Sequence, residues 1–221
     1  MNATRNQIEM PDSWSDDLDA APEKPKFPRE LAIEVANELE PLLVPFCERI
    51  AVAGSVRRGK AMVGDLEILF ISRMEQRPNP DSLFGEAVEV PLALEALDRL
   101  VSQRIILPRP KRDGTRTWGS AIRLAAHCYT TLPVDFFRAT EESWFNLLVC
   151  RTGGAQTNMQ IASRAKDRML QWNPSIDCAG FTRLNTRGGD GKGGRQQIRV
   201  TSEEDVFRTV GLECPPPHKR R

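Results

Sequence analysis

The stretch Gly54–Phe70, GSVRRGKAMVGDLEILF, constrains this chain more than any other. It follows a short apolar run, Arg49–Ala53 (RIAVA), and passes into a longer one, Asp65–Ile71 (DLEILFI). Short apolar runs bounded by glycine read as strands. The second run contains two carboxylates, Asp65 and Glu67. Residues two apart on a strand share a face, so both acids point the same way. Like charges side by side on an apolar strand are costly unless a cation lies between them, and an all-oxygen ligand set suits magnesium. Alone, a D-x-E pair also fits an edge strand whose acids face water.

The residues before the acids argue for more. Gly54-Ser55 breaks the first strand and opens a short helical turn, presenting backbone N–H groups and a hydroxyl of the kind that bind phosphate. Arg57 and Arg58 follow, and arginine forks onto phosphate oxygens. Gly64 permits close backbone approach just ahead of the acids. A phosphate cradle, arginines and metal-binding carboxylates thus fall within the 14 residues Gly54–Glu67. Phosphoryl transfer needs that grouping: a metal to offset the triphosphate charge and donors to orient it. Asp135, in the apolar run LPVDFF, is the candidate third carboxylate, since a charge in such a strand needs a reason. On a neighbouring strand it would reach the metal near the nucleophile and help deprotonate an attacking 3′-hydroxyl, directly or through water. The alternative is a partly exposed edge-strand aspartate.

Around this centre the pattern predicts an α+β chain. Residues 1–26 are polar, acidic and proline-spotted and read as disordered. Leu31, Val35, Leu39 and Leu42 recur at helical spacing in Arg29–Phe46, which Pro41 and Pro45 should end or kink. Met74–Ser82 reads as a polar loop and Val90–Val101 as a helix; Arg104–Leu107, Trp118–Ala126 and Leu132–Phe137 read as strands, with a hairpin turn at PRPKRDGTR. Beyond a break at Thr152-Gly153-Gly154, Gln156–Met169 has helical composition. Arg187–Arg195, RGGDGKGGR, reads as a hairpin tip, and Thr201–Glu204 as a capping box before a short last helix.

Bulk properties exclude several classes. The 221 residues suffice for a buried core. The odd set Cys47, Cys128, Cys150, Cys178 and Cys214 contains no C-x-x-C pair, which suits a reduced intracellular protein. No apolar run reaches the roughly 18 residues of a membrane span. The net charge of +1 hides an acidic start, with six acids against one base in residues 1–23, and a basic last third, with thirteen bases against seven acids in residues 151–221.

At this point the residues resemble a known family. GSVRRGKAMVGDLEILF is similar to the catalytic signature of family X DNA polymerases, the DNA polymerase β-like branch of the nucleotidyltransferase superfamily. Lys26–Glu30 (KFPRE) resembles the basic-x-Pro-Arg-Glu start of that family's preceding helix, and Trp118–Leu124 a palm strand. Arg151–Asn158 (RTGGAQTN) resembles its Thr-Gly-Ser turn with an asparagine five residues past the glycine, and Glu203–Arg221 its thumb ending. The resemblance implies an acidic tail at 1–23, a mixed-sheet nucleotidyltransferase palm at 24–140 flanked by helices, and a small α+β thumb-like subdomain at 141–221.

It also implies roles. Asp65, Glu67 and Asp135 would hold two Mg2+ ions, with Mn2+ able to substitute. Gly54, Ser55, Arg58, Gly64 and Lys26 would serve the triphosphate, Gly153 the incoming sugar and Asn158 the minor-groove edge of the incoming base. Arg151, Arg164, Lys166, Arg187, Lys192 and Arg195 would serve nucleic acid; for Arg187–Arg199 a solvated hairpin is the alternative to a backbone clamp. The implied activity is DNA-directed DNA polymerisation of a gap-filling, repair type on gapped or primed DNA with nucleoside triphosphates. The implied state is an intracellular monomer, cytoplasmic or viral in a host cell, without a membrane or a lyase domain. The alternative is template-independent transfer to an RNA end, a protein or a small molecule. Three positions depart from the pattern: Glu67 replaces an aspartate, Cys150-Arg151 replace aromatics that check the sugar, and Ala162 replaces a template-contacting arginine. The second departure predicts weak discrimination against ribonucleotides.

Overall fold

The computed structural model describes residues 25–79, 86–108, 121–124, 131–175, 180–184 and 195–221. The first element is a two-residue strand, β1 (Phe27–Pro28), followed by helix α1 (Arg29–Leu43). Ala32, Val35, Ala36, Leu39 and Leu43 form its buried stripe, at the spacing of a single helical face. Pro41 does not end the helix: it lies on the exposed side of the last turn, and the helical path tightens into a 3-10 turn only at Val44–Phe46, around Pro45.

Strand β2 (Cys47–Val52) leads into the single-turn helix α2 (Gly54–Arg57), the short strand β3 (Met62–Val63) and the long strand β4 (Leu66–Ser72). A ribbon of β5 (Met74–Pro78) and β6 (Ala87–Pro91) follows, where a polar loop was expected from Met74 onward. The ribbon is solvated, so no apolar alternation marks it; an Arg77 fork onto Glu95 and a Gln76–Glu89 hydrogen bond hold it. Helix α3 (Leu92–Ser102) comes next. Its last carbonyls explain why Arg104–Ile106 is not the expected strand: Arg104 turns left-handed at φ 57°, and the N–H groups of Ile105 and Ile106 both donate to Leu100 O. Only β7 (Leu107–Pro108) joins the sheet there, beside β8 (Ala121–Leu124) and β9 (Thr131–Ala139). The loop at 109–116 and the flanks of β8 lie outside the described residues.

The main sheet has five strands in the order β2-β4-β9-β8-β7, with β4 and β9 parallel and the other pairs antiparallel. It is a mixed sheet with helices, as the sequence led us to expect. One face carries Leu66, Ile68, Phe70, Leu132, Val134 and Phe136, packed with α1 and α3 into the main core. The other carries Leu69, Ile71 and Ala139 against Trp144, Leu147 and Leu148 of helix α4 (Trp144–Thr152). Glu67, Asp135 and Phe137 belong by alternation to this second face.

The last third builds its own core. Helix α5 (Ala155–Asp167), an antiparallel sheet of β10 (Leu170–Asn173), β11 (Gly180–Leu184) and β12 (Arg195–Ile198), and helix α6 (Glu203–Thr209) surround Ile161, Phe181, Val206 and Phe207. Residues 185–194, with the expected hairpin tip, lie outside the described residues. The capping box at α6 sits one residue later than expected: Ser202 Oγ accepts from the Asp205 N–H, and Asp205 Oδ2 accepts from the Thr201 N–H at 2.9 Å. Trp172 is a structural residue, stacked on Phe181 and donating from Nε1 to Asn146.

Glu203 ties this lobe to the first. It takes Arg57 of α2 at 2.5 Å on one carboxylate oxygen and Arg220 at 2.6 Å on the other. Burial works against the charge on Glu203, but the two arginines outweigh it and hold the carboxyl below its ordinary range. Arg220 is 2% exposed, so removing its partner strands a buried charge. Glu203→Gln should therefore cost about 3 kcal/mol in urea unfolding, and adding Arg220→Met should recover part of that loss.

Candidate active site

The site begins with a glycine that any side chain would strain. Gly54 has φ +66°, a left-handed conformation, and a Cβ there would lie 2.6 Å from Glu67 Oε2. The Ala53 N–H donates to Glu67 O at 2.8 Å, so the turn and the acid strand meet at one point. The intrahelical bonds of α2 start at Arg57 N to Ala53 O, so the amides ahead of Arg57 have no intrahelical acceptor. Arg29 buttresses the turn from behind, donating from Nε to Val56 O at 3.0 Å.

Parallel pairing of β4 and β9 places Glu67 directly beside Asp135. Asp65 precedes β4, one side-chain alternation ahead of Glu67. The three candidate carboxylates are thus brought to one corner. Burial first, then the Asp65 charge, pushes the Glu67 carboxyl up to about 7, with Asp135 adding to the rise and Arg151 and Arg58 opposing it. Glu67 Oε2 is buried with no hydrogen-bond partner, as is Ser55 Oγ. Among the described residues no group of three or more His, Cys, Asp or Glu side chains is placed to hold a metal ion. Glu67 is turned under Gly54, with its Oε2 against that glycine.

A cavity opens over this corner, lined by Gly54, Ser55, Arg58, Asp65, Glu67, Cys150, Arg151, Gly153, Gly154 and Ala155. Its far wall is the break between α4 and α5. Arg58 spans the gap, donating to Thr152 O at 2.6 Å and Gly153 O at 3.3 Å. Arg57 does not share that role. Its guanidinium is taken by Thr152 Oγ1 at 2.8 Å and by Glu203, so of the two adjacent arginines only Arg58 lines the cavity.

The other expected site residues fall at varying distances from this cavity. Gly153 lines it, and packing accounts for its identity, because a Cβ would crowd Asn158 Oδ1 at 2.9 Å. Asn158 folds back, donating from Nδ2 to Cys150 O at 2.8 Å, with its own Oδ1 buried and unpartnered. Gly64 has neither a positive φ nor a crowded Cβ position, so nothing among the described residues requires glycine there. Lys26 is exposed just before β1, whose pairing with β3 directs it toward Gly64.

Arg151, expected to serve nucleic acid, lines the cavity. Its guanidinium lies 3.8 Å from the Phe137 ring centroid, and its Nε is buried without a partner. Arg164 and Lys166 stand exposed on α5. Arg187 and Lys192 lie outside the described residues, and Arg195 starts β12. Sequence reading missed the Glu203–Arg220 partnership with Arg57, because residues 146 positions apart carry no local signal of pairing.

The Glu67 shift makes a metal-free stability profile predictable. Below pH 4.5 the carboxyl is protonated in both folded and unfolded chains; between about 4.5 and about 7 only the unfolded chain releases the proton, so stability falls across that window as pH rises. Glu67→Gln should remove this slope in urea titrations run with a chelator. Gly54→Ala should destabilise the chain by about 2 kcal/mol, since it combines a left-handed backbone penalty with displacement of Glu67.

Comparison with known proteins bears on the whole arrangement. Residues 147–221 match the family model described as DNA polymerase beta thumb. No curated protein matches the chain in sequence. Among solved structures, Leishmania infantum polymerase beta in a ternary P/T complex superposes with a TM-score of 0.65 at 17% identity, covering 89% of this chain and 77% of that one. The fold is that of a polymerase β-like palm and thumb.

Proposed function

We propose that this family X polymerase-like protein is a nucleotidyltransferase that adds nucleotides to a primer 3′-hydroxyl on gapped or primed DNA. The observation that carries the reading is the pairing of orphans in one cavity. A buried hydroxyl, Ser55 Oγ, and a buried carboxylate oxygen, Glu67 Oε2, both lack partners across a turn that presents backbone amides. A native structure leaves such groups unsatisfied where a ligand completes them. Ser55 and the α2 amides supply donors for phosphate oxygens, and the carboxylates supply sites for cations.

The donor set fits magnesium. The ligands are all oxygen, one oxygen is orphaned, and burial together with the neighbouring carboxylates raises the Glu67 carboxyl, a strain that a cation would relieve. Asp65, Glu67 and Asp135 would hold two Mg2+ ions, or Mn2+ in their place, and the ions would offset charge on the triphosphate and the attacking oxygen. The chain's own residues do the rest. Ser55 and the turn amides bind and orient the triphosphate. Arg58 fixes the Gly153 side of the cavity against that turn. Asp135, half-buried beside Glu67, accepts the proton of the 3′-hydroxyl directly or through water. Exposed Arg164 and Lys166 on α5 bind the duplex backbone electrostatically.

Cys150 and Arg151 occupy the sugar side of the cavity. Burial raises the Cys150 thiol above its ordinary value, and its short side chain offers less bulk against a 2′-hydroxyl than an aromatic ring would. Glu67 in place of an aspartate, with these two residues, also favours a second reading, untemplated transfer. Primer alone, primer–template and single-nucleotide-gapped duplex, each offered with Mg2+ and each nucleotide, decide between them. Templated extension is expected, tailing of primer alone would support the second reading, and duplex binding without incorporation would defeat both. Asp135→Ala should lower incorporation by more than about a hundredfold. Ribo- and deoxyribonucleotides should be used with comparable kcat/KM, and a strong deoxynucleotide preference would refute the open sugar side.

A further inference from the structure

Helix α5 begins the far wall of the cavity, yet it has no side-chain cap of its own. Its N-cap is Gly154, which offers no oxygen to the orphan amides of the first turn. The amide that such a cap ordinarily satisfies, three residues in, belongs to Thr157. Here it donates to the backbone oxygen of Arg221 at 2.6 Å, and the Arg221 N–H donates back to Thr157 Oγ1 at 3.0 Å. A reciprocal pair of this kind is the work of a capping box, supplied from a segment 64 residues away.

The fit is close. A Cβ on Gly154 would collide with the Arg221 carbonyl carbon, so glycine is required there by the overlying segment. That segment is itself anchored. Arg220 pairs with Glu203, donates from Nε to Pro215 O at 2.9 Å, and lies 5.2 Å over the Phe207 ring. Pro215-Pro216-Pro217 limits its freedom to swing. Gly154 touches this strap on one side and lines the Ser55–Glu67 cavity on the other. One residue thus separates the strap from the cavity.

We propose that Cys214–Arg221 is a positioning element for the nucleotide: its main chain replaces the missing cap of α5 and sets the height of the Gly153-Gly154 turn over Ser55 and Glu67. The inference rests on the nucleotide-binding reading of that cavity. The effect runs through backbone groups, so the Arg221 side chain itself is dispensable. Arg220 has φ −74° and ψ 126°, the conformation that tolerates a following proline, so Arg221→Pro deletes one donor without redirecting the chain.

The test measures the equilibrium affinity of a non-hydrolysable deoxynucleoside triphosphate for the full chain bound to a single-nucleotide-gapped duplex, alongside duplex affinity and Tm. Thr157→Val and Arg221→Pro should each weaken the nucleotide by about fivefold, the scale of one lost hydrogen bond. Thr157→Ser, which keeps the hydroxyl, and Arg221→Ala, which keeps the backbone, should stay within about twofold of wild type, and duplex affinity should not move. Unchanged nucleotide affinity in both Thr157→Val and Arg221→Pro would overturn the proposal, even if Tm falls. So would an equal loss in Arg221→Ala, or a parallel loss of duplex affinity. If the wild-type chain binds the nucleotide but extends no primer, the polymerase reading fails and the strap is still judged on affinity. If it binds no nucleotide, both fail.

Discussion

Everything at the site depends on the contact between Gly54 and Glu67. Only a residue without a side chain can turn left-handed where Gly54 does, and only there can the α2 turn settle onto the acid strand without striking the carboxylate. The consequence is electrostatic as much as steric. The turn buries Glu67, and that burial, with the Asp65 charge and then Asp135 adding to it, raises the carboxyl to about 7 against the opposing Arg151 and Arg58. Ser55 Oγ and Glu67 Oε2 are both left buried without hydrogen-bond partners on one cavity, at a cost that the surrounding core must offset.

The adjacent arginines divide the labour of holding that arrangement. Arg58 binds carbonyls of the Thr152-Gly153 turn, and Arg57 binds the Thr152 hydroxyl and Glu203. Both therefore lock α2 to the second lobe, and the second lobe cannot move without breaking charge-assisted hydrogen bonds. Helix α4 completes the coupling. Its apolar side packs on Leu69 and Ile71 beneath the acids, while its last turn carries Arg151 onto Phe137 and into the cavity. The two cores meet along this one helix.

Much of this was legible in the sequence because it is local. The strand–glycine–turn–acid order, the shared face of Asp65 and Glu67, the break at Thr152-Gly153-Gly154 and the amphipathic α1 all follow from spacing of a few residues. The errors arose where long-range context decides. A solvated ribbon at β5 and β6 shows no apolar alternation, and α3 ends in a turn because its own carbonyls need donors, which strand propensity in Arg104–Leu107 does not reveal. Arg57 and Arg58 look interchangeable in a sequence, and only the partners at Glu203 and Thr152 distinguish them. The stacking of Arg151 on Phe137, from a different strand, carries no local signal either.

The parallel pairing of β4 and β9 carries a further consequence. Glu67 and Asp135 are neighbours because the two strands share a ladder, not because the chain between them has any particular length. Backbone hydrogen bonds from Leu66–Val134 through Ile71–Ala139 act as a ruler that the connecting segment cannot overrule. Loops, ribbon and helix between the strands are therefore free to lengthen, shrink or diverge over evolutionary time while the spacing of the acids stays constant. A one-residue slip within either strand, by contrast, would send its acid into the opposite core.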